Sequence, residues 1–274
     1  MKAATIVPQH HLHLIAWQDY HLALAHLINK PGFEYYTKFY GDMAGHPEKF
    51  VILDNGLIEG DPRPMEELLD KALQIGADEL VLPDVFQNRE ETYRKVYDSL
   101  NKLVHGNARV RTMAVAQGKT VEEWLASARE LLKLPINTLG IPKVVAKLPD
   151  ATGKTSWIQR LNVLQLLADD LERSDVQVHL LGCWDTPLEI KTIAAAIAGG
   201  TCPEVRGTDS AIAYAFARKG MKMSEGDRPV GAIDFGATDL DPDDVILKYN
   251  IQMWQHECGD IDLSSEDLHI PRFW

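Results

Sequence analysis

Two carboxylates in this sequence stand where a short apolar run breaks off: Asp54 in FVILDNG (50–56) and Asp209 in EVRGTD (204–209). A pair of carboxyls across a pocket can cleave a glycosidic bond, one attacking the anomeric carbon while the other gives and takes the proton. A third acid, Asp84 in ELVLPDV (79–85), and an amide, Gln117 in VRTMAVAQG (110–118), end two further runs. Asp and Gln with nearby backbone N–H groups suit a purine edge, since the carboxylate accepts from ring N–H and amino groups and the amide meets the carbonyl. Gly140 in TLGIPK (138–143) and His179 and Gly182 in VQVHLLG (176–182) complete the set. Each has a plainer reading. Asp54-Asn55-Gly56 also reads as a tight turn, Asp84 as a helix cap and His179 as a satisfied core histidine. Asp209 reads as the N-cap of a small-residue helix running to Arg218 and Lys219.

Side chains so placed need a scaffold that ends its strands on one side. Besides the runs already quoted, AATIVP (3–8) and GAIDF (231–235) are rich in apolar residues without strict alternation, as strands buried on both faces should read. Helical patterns fill the intervals. RPMEELLDKALQIG (63–76) opens after proline and closes on Gly76, and NREETYRKVYDSLNKLVHG (88–106) has Asn88 as its cap. Residues 120–134, 155–174, 186–200 and 241–255 follow the same grammar. About eight β–α units predict a (β/α)8 barrel of TIM type, with its site at the C-terminal ends of the strands. No Gly-rich fingerprint follows the first strand, which argues against an open doubly wound sheet. One domain spanning 1–274 is expected, with an insertion around 17–49 that carries an extra helix over the barrel mouth.

The bulk numbers exclude some classes. No apolar run is long enough for a bilayer, and three scattered cysteines, Cys183, Cys202 and Cys258, suggest reduced thiols in a cytoplasmic setting. A net charge of −12 disfavours broad nucleic-acid affinity but leaves room for a local basic strip from Lys143, Lys147, Lys154 and Arg160 to Arg206, Arg218, Lys219 and Lys222. GKT occurs at 118–120 and 153–155, but Met113 and Leu148 stand where a phosphate loop needs glycine. HHLHL (10–14) raises an alternative, a metal-dependent barrel hydrolase of the amidohydrolase type using His11, His13, His179 and Asp234. His256-x-Cys258 is too small a fragment for a zinc site.

In their order along the chain, the strand-end motifs resemble those of the tRNA-guanine transglycosylase superfamily, above all its small phage and bacterial branch that inserts 7-deazaguanine bases into DNA. The resemblance spans DYHLALAHLI (19–28) through ARKG (217–220). LDNG is similar to the family's Asp-Ser-Gly, which implies a general acid/base at Asp54. LPDV gives Asp84 as the base-reading acid, and AQG, similar to Val-Gln-Gly, places Gln117 and Gly118 at the purine carbonyl. LGIPK resembles the Gly-Gly-Leu loop, with Gly140 offering N–H and Ile141 a carbonyl. HLLG resembles His-Tyr-Leu-Met-Gly, bringing His179, Leu181 and Gly182 to the base, and Asp209 falls on the nucleophile. The family's C-x-C-x2-C with a later His is absent, and Asn55 replaces the serine after the acid.

The resemblance implies replacement of guanine in nucleic acid by a free 7-deazaguanine such as preQ0 or preQ1, through a covalent link to Asp209. Such chemistry needs no metal and no cofactor. DNA is expected over tRNA, because the zinc subdomain and its basic surface are missing. Lys143, Lys147, Arg218, Lys219 and Lys222 would meet phosphates, in the cytoplasm of the cell or of a phage host. A homodimer stays open.

Overall fold

The computed structural model describes residues 1–58, 60–106, 109–183, 187–223, 233, 235 and 242–263. Eight parallel strands form one sheet in the order β1-β8-β7-β6-β5-β4-β3-β2. They are β1 (Lys2–Thr5), β2 (Tyr20–Ala23), β3 (Phe50–Leu53), β4 (Glu79–Val81), β5 (Arg111–Val115), β6 (Thr138–Pro142), β7 (Gln177–Leu181) and β8 (Gly207–Ser210). The helices between them are α1 (Glu34–Ala44), α2 (Met65–Ile75), α3 (Arg89–His105), α4 (Val121–Leu131), α5 (Gln159–Leu166), α6 (Ala168–Glu172), α7 (Leu188–Ala198), α8 (Ile212–Ala217) and α9 (Asp244–Glu257). This is the expected (β/α)8 barrel. No described helix is long and apolar enough to cross a membrane.

Local chemistry sets the helix ends. Asn88 accepts from the Glu91 N–H at 3.1 Å and starts α3. Thr120 accepts from the Glu123 N–H at 3.2 Å to start α4, while Glu123 turns back to the N–H of Lys119. Gly76 ends α2 at φ 69°, where its N–H reaches the last carbonyls.

Strand bookkeeping from the sequence leaves out one strand near the start of the chain. Tyr20–Ala23 is a strand, so the 17–49 stretch supplies β2 and α1, a regular barrel helix on β3 and α2, and not an insertion over the mouth. The closing strand is β8 at 207–210, which pairs with β1 at Ala4 and Asp209. The eighth run expected at 231–235 lies largely outside the described residues. The helix expected over 155–174 is two, α5 and α6, broken at Leu167.

Side chains bridge β1 and β2, the two ends of the hydrogen-bonded sheet order. Buried Gln18 donates from Nε2 to Thr5 Oγ1 at 2.9 Å and accepts the Thr5 N–H at 3.4 Å. Across β1, α9 clamps the strand as Trp254 Nε1–H donates to the Ala4 carbonyl and Gln255 Nε2–H to that of Ala3. Inside the barrel, Tyr20, Glu79 and Thr138 on alternate strands meet Arg206, which leads into β8. This makes one interior layer of four. Gly207 is required there, because a Cβ would stand 2.6 Å from the Tyr20 ring. Replacing Gln18 by Leu should cost about 1–3 kcal/mol, the penalty for leaving the buried Thr5 N–H without an acceptor. Urea unfolding checks this, and an unchanged midpoint would show that the seam does not need the amide.

Candidate active site

Two hydrogen-bonded assemblies sit at the C-terminal ends of the strands. The first joins the loops after β3, β4 and β5. Asp84 is 4% exposed, and each of its oxygens has a donor. Asn55 Nδ2–H reaches Oδ1 at 2.7 Å, and Gln117 Nε2–H reaches Oδ2 at 2.5 Å. Asn55 also donates to the Leu82 carbonyl at 2.9 Å, and its Oδ1 accepts the Leu57 N–H, so its side chain is held at both ends. Gln117 Oε1 accepts the N–H of Gln87, a non-glycine residue at φ 54°. Backbone in that sparsely populated region collects at functional loops, where the surroundings must enforce it. Burial pushes the Asp84 carboxyl up to about 6, against the pull of the Gln117 and Asn55 donors toward the anion. A cleft of about 440 Å³ between α2 and α3 reaches this loop, with Asn55, Pro83, Asp84 and Lys95 in its walls.

The second assembly belongs to β7, β8 and β2. His179 is fully buried and bonded through both nitrogens, Nε2 to Asp209 Oδ1 at 3.0 Å and Nδ1 to the Tyr20 hydroxyl at 2.9 Å. The side chain of Asp209 keeps 8% exposure, and its Oδ2 has no hydrogen-bond partner among the described residues. Tyr20 in turn accepts from Arg206 Nε at 3.0 Å. Arg206 is paired with Glu79, stacks 4.8 Å over Phe50 and touches Thr138 and Gln177.

These contacts revise several of the roles expected of single residues. Asp209 does not cap α8: the residue before that helix is Ala211, and the Ile212 N–H goes to Ser210 Oγ. His179 is the satisfied core histidine, out of reach of a substrate. Asp54 makes the tight turn, with Oδ2 accepting the Gly56 N–H at 3.0 Å. It ends β3, with β1 and β2 lying between that strand and β8. Asp84 leaves capping of α3 to Asn88. Gly118 lets its loop touch α4, since a Cβ would lie 2.4 Å from the Trp124 nitrogen. Gly140 and Ile141 are ladder residues of β6, registered against His179 and Leu180. A Cβ on Gly140 would meet Leu181, and Gly182, at φ 72°, lies under the Lys143 stem.

The basic strip is smaller than the sequence suggested. Arg160 is fully buried in an ion pair with Glu189 and donates to the Gly182 carbonyl, while Arg206 is committed to Glu79. Lys147 and Lys219 are exposed, Lys143 and Arg218 are half-buried, and Lys222 lies over the Tyr249 ring. His11 and His13 both face Asp244 on α9 and not His179. Among the described residues no three metal-type ligands converge, and Asp234 lies outside them. Sequence reasoning missed Asn55, Tyr20, Glu79 and the internal use of Arg160 and Arg206. A buried-charge signal was available only as unpaired Glu79 at the start of an apolar run.

No family model and no curated protein matches the chain. Solved structures do resemble it in fold. A phosphoenolpyruvate phosphomutase from Streptomyces platensis is 14% identical with a TM-score of 0.44, the match covering 76% of this chain and 74% of that one. The CitE protein of Mycobacterium tuberculosis is 12% identical with a TM-score of 0.46, over 76% and 84%. An N-acetylneuraminate lyase from Mycoplasma synoviae is 11% identical with a TM-score of 0.47, over 77% and 68%. One is named as a phosphomutase and one as a lyase, and none of the three as a transglycosylase. The expectation of guanine exchange in nucleic acid, and with it the 7-deazaguanine and DNA-modification terms, finds no support among these matches and is withdrawn. The likeness itself is one of fold alone.

Asp84 and a second buried group pull stability in opposite directions with pH. His21 on β2 is buried, and desolvation lowers its imidazole from 6.5 to about 4. It therefore contributes stability above pH 6.5 that is lost as pH falls through 4. Asp84, raised from 3.8 to about 6, has the reverse sign: the fold binds the extra proton and gains stability as pH falls through that window. Asp84→Asn removes this compensation. The variant should lose roughly 2–3 kcal/mol more than wild type between pH 7 and pH 4. Urea melts at the two pH values measure this, and parallel losses would disprove the raised carboxyl.

Proposed function

We propose that the chain is an enzyme working at the mouth of its barrel, with Asp209 as base and Asp84 as acid toward a small polar substrate. The observation that carries this reading is Oδ2 of Asp209, a carboxylate oxygen with no donor among the described residues while its twin is held by His179. Asp84 follows β4, and Asp209 lies on β8, four strands away in a ring of eight. Strands so spaced face each other across a barrel, which suits a substrate seated between the two carboxyls. Burial brings Asp84 to about 6, so it can hold or release a proton near neutral pH. Each of its oxygens keeps a second lone-pair site beyond the amide donor it already accepts. The substrate class that fits offers a donor or an acidic hydrogen to Asp209 and an acceptor oxygen or nitrogen to Asp84. The larger cavity, about 720 Å³, surrounds the starts of β7 and β8 near Gln177, Val178 and Arg206. That is the N-terminal end of the barrel, where residues serve stability.

Incubating the protein with a mixture of small polar metabolites and following each by mass spectrometry tests the reading. Wild type should consume at least one compound, and Asp209→Asn should slow that turnover by roughly 10²–10⁴-fold. The rate should fall as pH rises through about 6, where Asp84 loses its proton, and Asp84→Asn should remove that limb. Full turnover by Asp209→Asn, or no compound consumed by wild type, would overturn the assignment.

A further inference from the structure

We propose that Tyr20 is a positioning residue that fixes the tautomer of His179 and, through it, the orientation of the Asp209 carboxylate. The functional weight of this inference rests on the reading of Asp209 as the base, although its geometry does not.

The direction of every bond follows from the inventory of donors. An arginine guanidinium has donors and no acceptor, so Arg206 Nε–H must donate to the Tyr20 oxygen, 3.0 Å away. Tyr20 then has to send its own hydrogen elsewhere. Among the described residues the other polar partner of its hydroxyl is His179 Nδ1 at 2.9 Å, which therefore accepts and carries no proton. The proton of the neutral ring sits on Nε2 and is donated to Asp209 Oδ1 at 3.0 Å. A doubly protonated ring would point Nδ1–H at a phenol that already accepts from Arg206. The phenol hydrogen would then have no acceptor among the described residues. Tyr20 is 3% exposed and His179 is fully buried, so no solvent relieves that orphan. Burial also pushes the phenol of Tyr20 well above its ordinary range, keeping its hydrogen in place.

The chain of bonds has a fixed origin. Arg206 cannot swing away, because Glu79, itself fully buried, takes both Nη groups, and Thr138 donates to the same carboxylate at 2.6 Å. The polarity runs from Glu79 at the start of β4, through Arg206, Tyr20 and His179, to Asp209 near the end of β8. It ends with Oδ1 occupied and Oδ2 without a donor among the described residues. His179 thereby acts on the site without touching what binds there.

Two-bond 1H–15N correlation spectra of uniformly labelled protein report the histidine tautomer directly. At neutral pH His179 should show the Nε2–H pattern. Tyr20→Phe keeps the ring, its stacking on Phe50 at 5.7 Å and its contact with Gly207, and removes only the hydroxyl. In that variant the Nε2–H population should fall and the Asp209 carboxyl carbon shift should move. Turnover should drop roughly ten- to a hundredfold in kcat with KM unchanged. A wild-type ring that is Nδ1–H or doubly protonated would overturn the proposal, as would a folded Tyr20→Phe protein with an unaltered tautomer. If the tautomer is as stated but Asp209→Asn remains fully active, the assignment of Asp209 as base falls and the positioning chain stands.

Discussion

The ion pair between Glu79 and Arg206 is the constraint on which the interior depends. Glu79 is fully buried on β4, and a carboxylate so placed is tolerated only with its charge matched and its lone pairs filled. Arg206 and Thr138 meet that demand, and in doing so they fill the lowest layer of the barrel with polar groups where apolar side chains are the usual choice. The layer fits only because position 207 lacks a side chain and Tyr20 can lie against it. Four residues from four places in the sequence are thus set by one buried charge.

The two ends of the barrel divide the work. At the N-terminal end the polar groups of the layer are closed on one another. At the C-terminal end the loops after β3, β4 and β5 hold Asp84 between two amides, while Asp209 on β8 has one oxygen with no donor among the described residues. The second half of β7 is braced from both sides. Arg160, locked to Glu189, donates to the Gly182 carbonyl, and Thr208 Oγ1 donates to that of Leu180. This bracing matters because His179 must hold its ring to within hydrogen-bond tolerance of two partners on different strands.

Much of the scaffold was legible because it is written locally. Caps at Asn88 and Thr120, the stop at Gly76 and the apolar runs of β3 to β7 are decided by residues a few positions apart. Asp84, Gln117 and Asp209 stood out for the same reason, as polar groups at the ends of apolar runs. What could not be read is long-range. β2 is four residues with a histidine in the second place, and it is buried by neighbours that the sequence does not show beside it. Asn55 looks like a turn residue until Asp84 is opposite it. Arg160 and Arg206 look like surface charges until Glu189 and Glu79, 29 and 127 residues away, are brought against them. Tyr20 stands in the stretch where the resemblance begins, yet nothing near it in the sequence marks its hydroxyl for a role.

A barrel of this size does not need a polar chain along its interior. Replacing a buried ion pair by well-packed apolar groups of similar volume is commonly neutral or stabilising, so fold stability alone gives no reason for Glu79, Arg206, Tyr20 and His179. What an apolar filling cannot supply is direction. A carboxylate on an isolated strand end can rotate and present either oxygen, and water would satisfy both. With His179 holding Oδ1 and a fixed set of donors behind it, the Asp209 carboxylate is held in one orientation. Pre-orientation of that kind is the part of a reaction barrier that a protein can remove before a substrate arrives. The polar interior and the held carboxylate of Asp209 are therefore two ends of one feature.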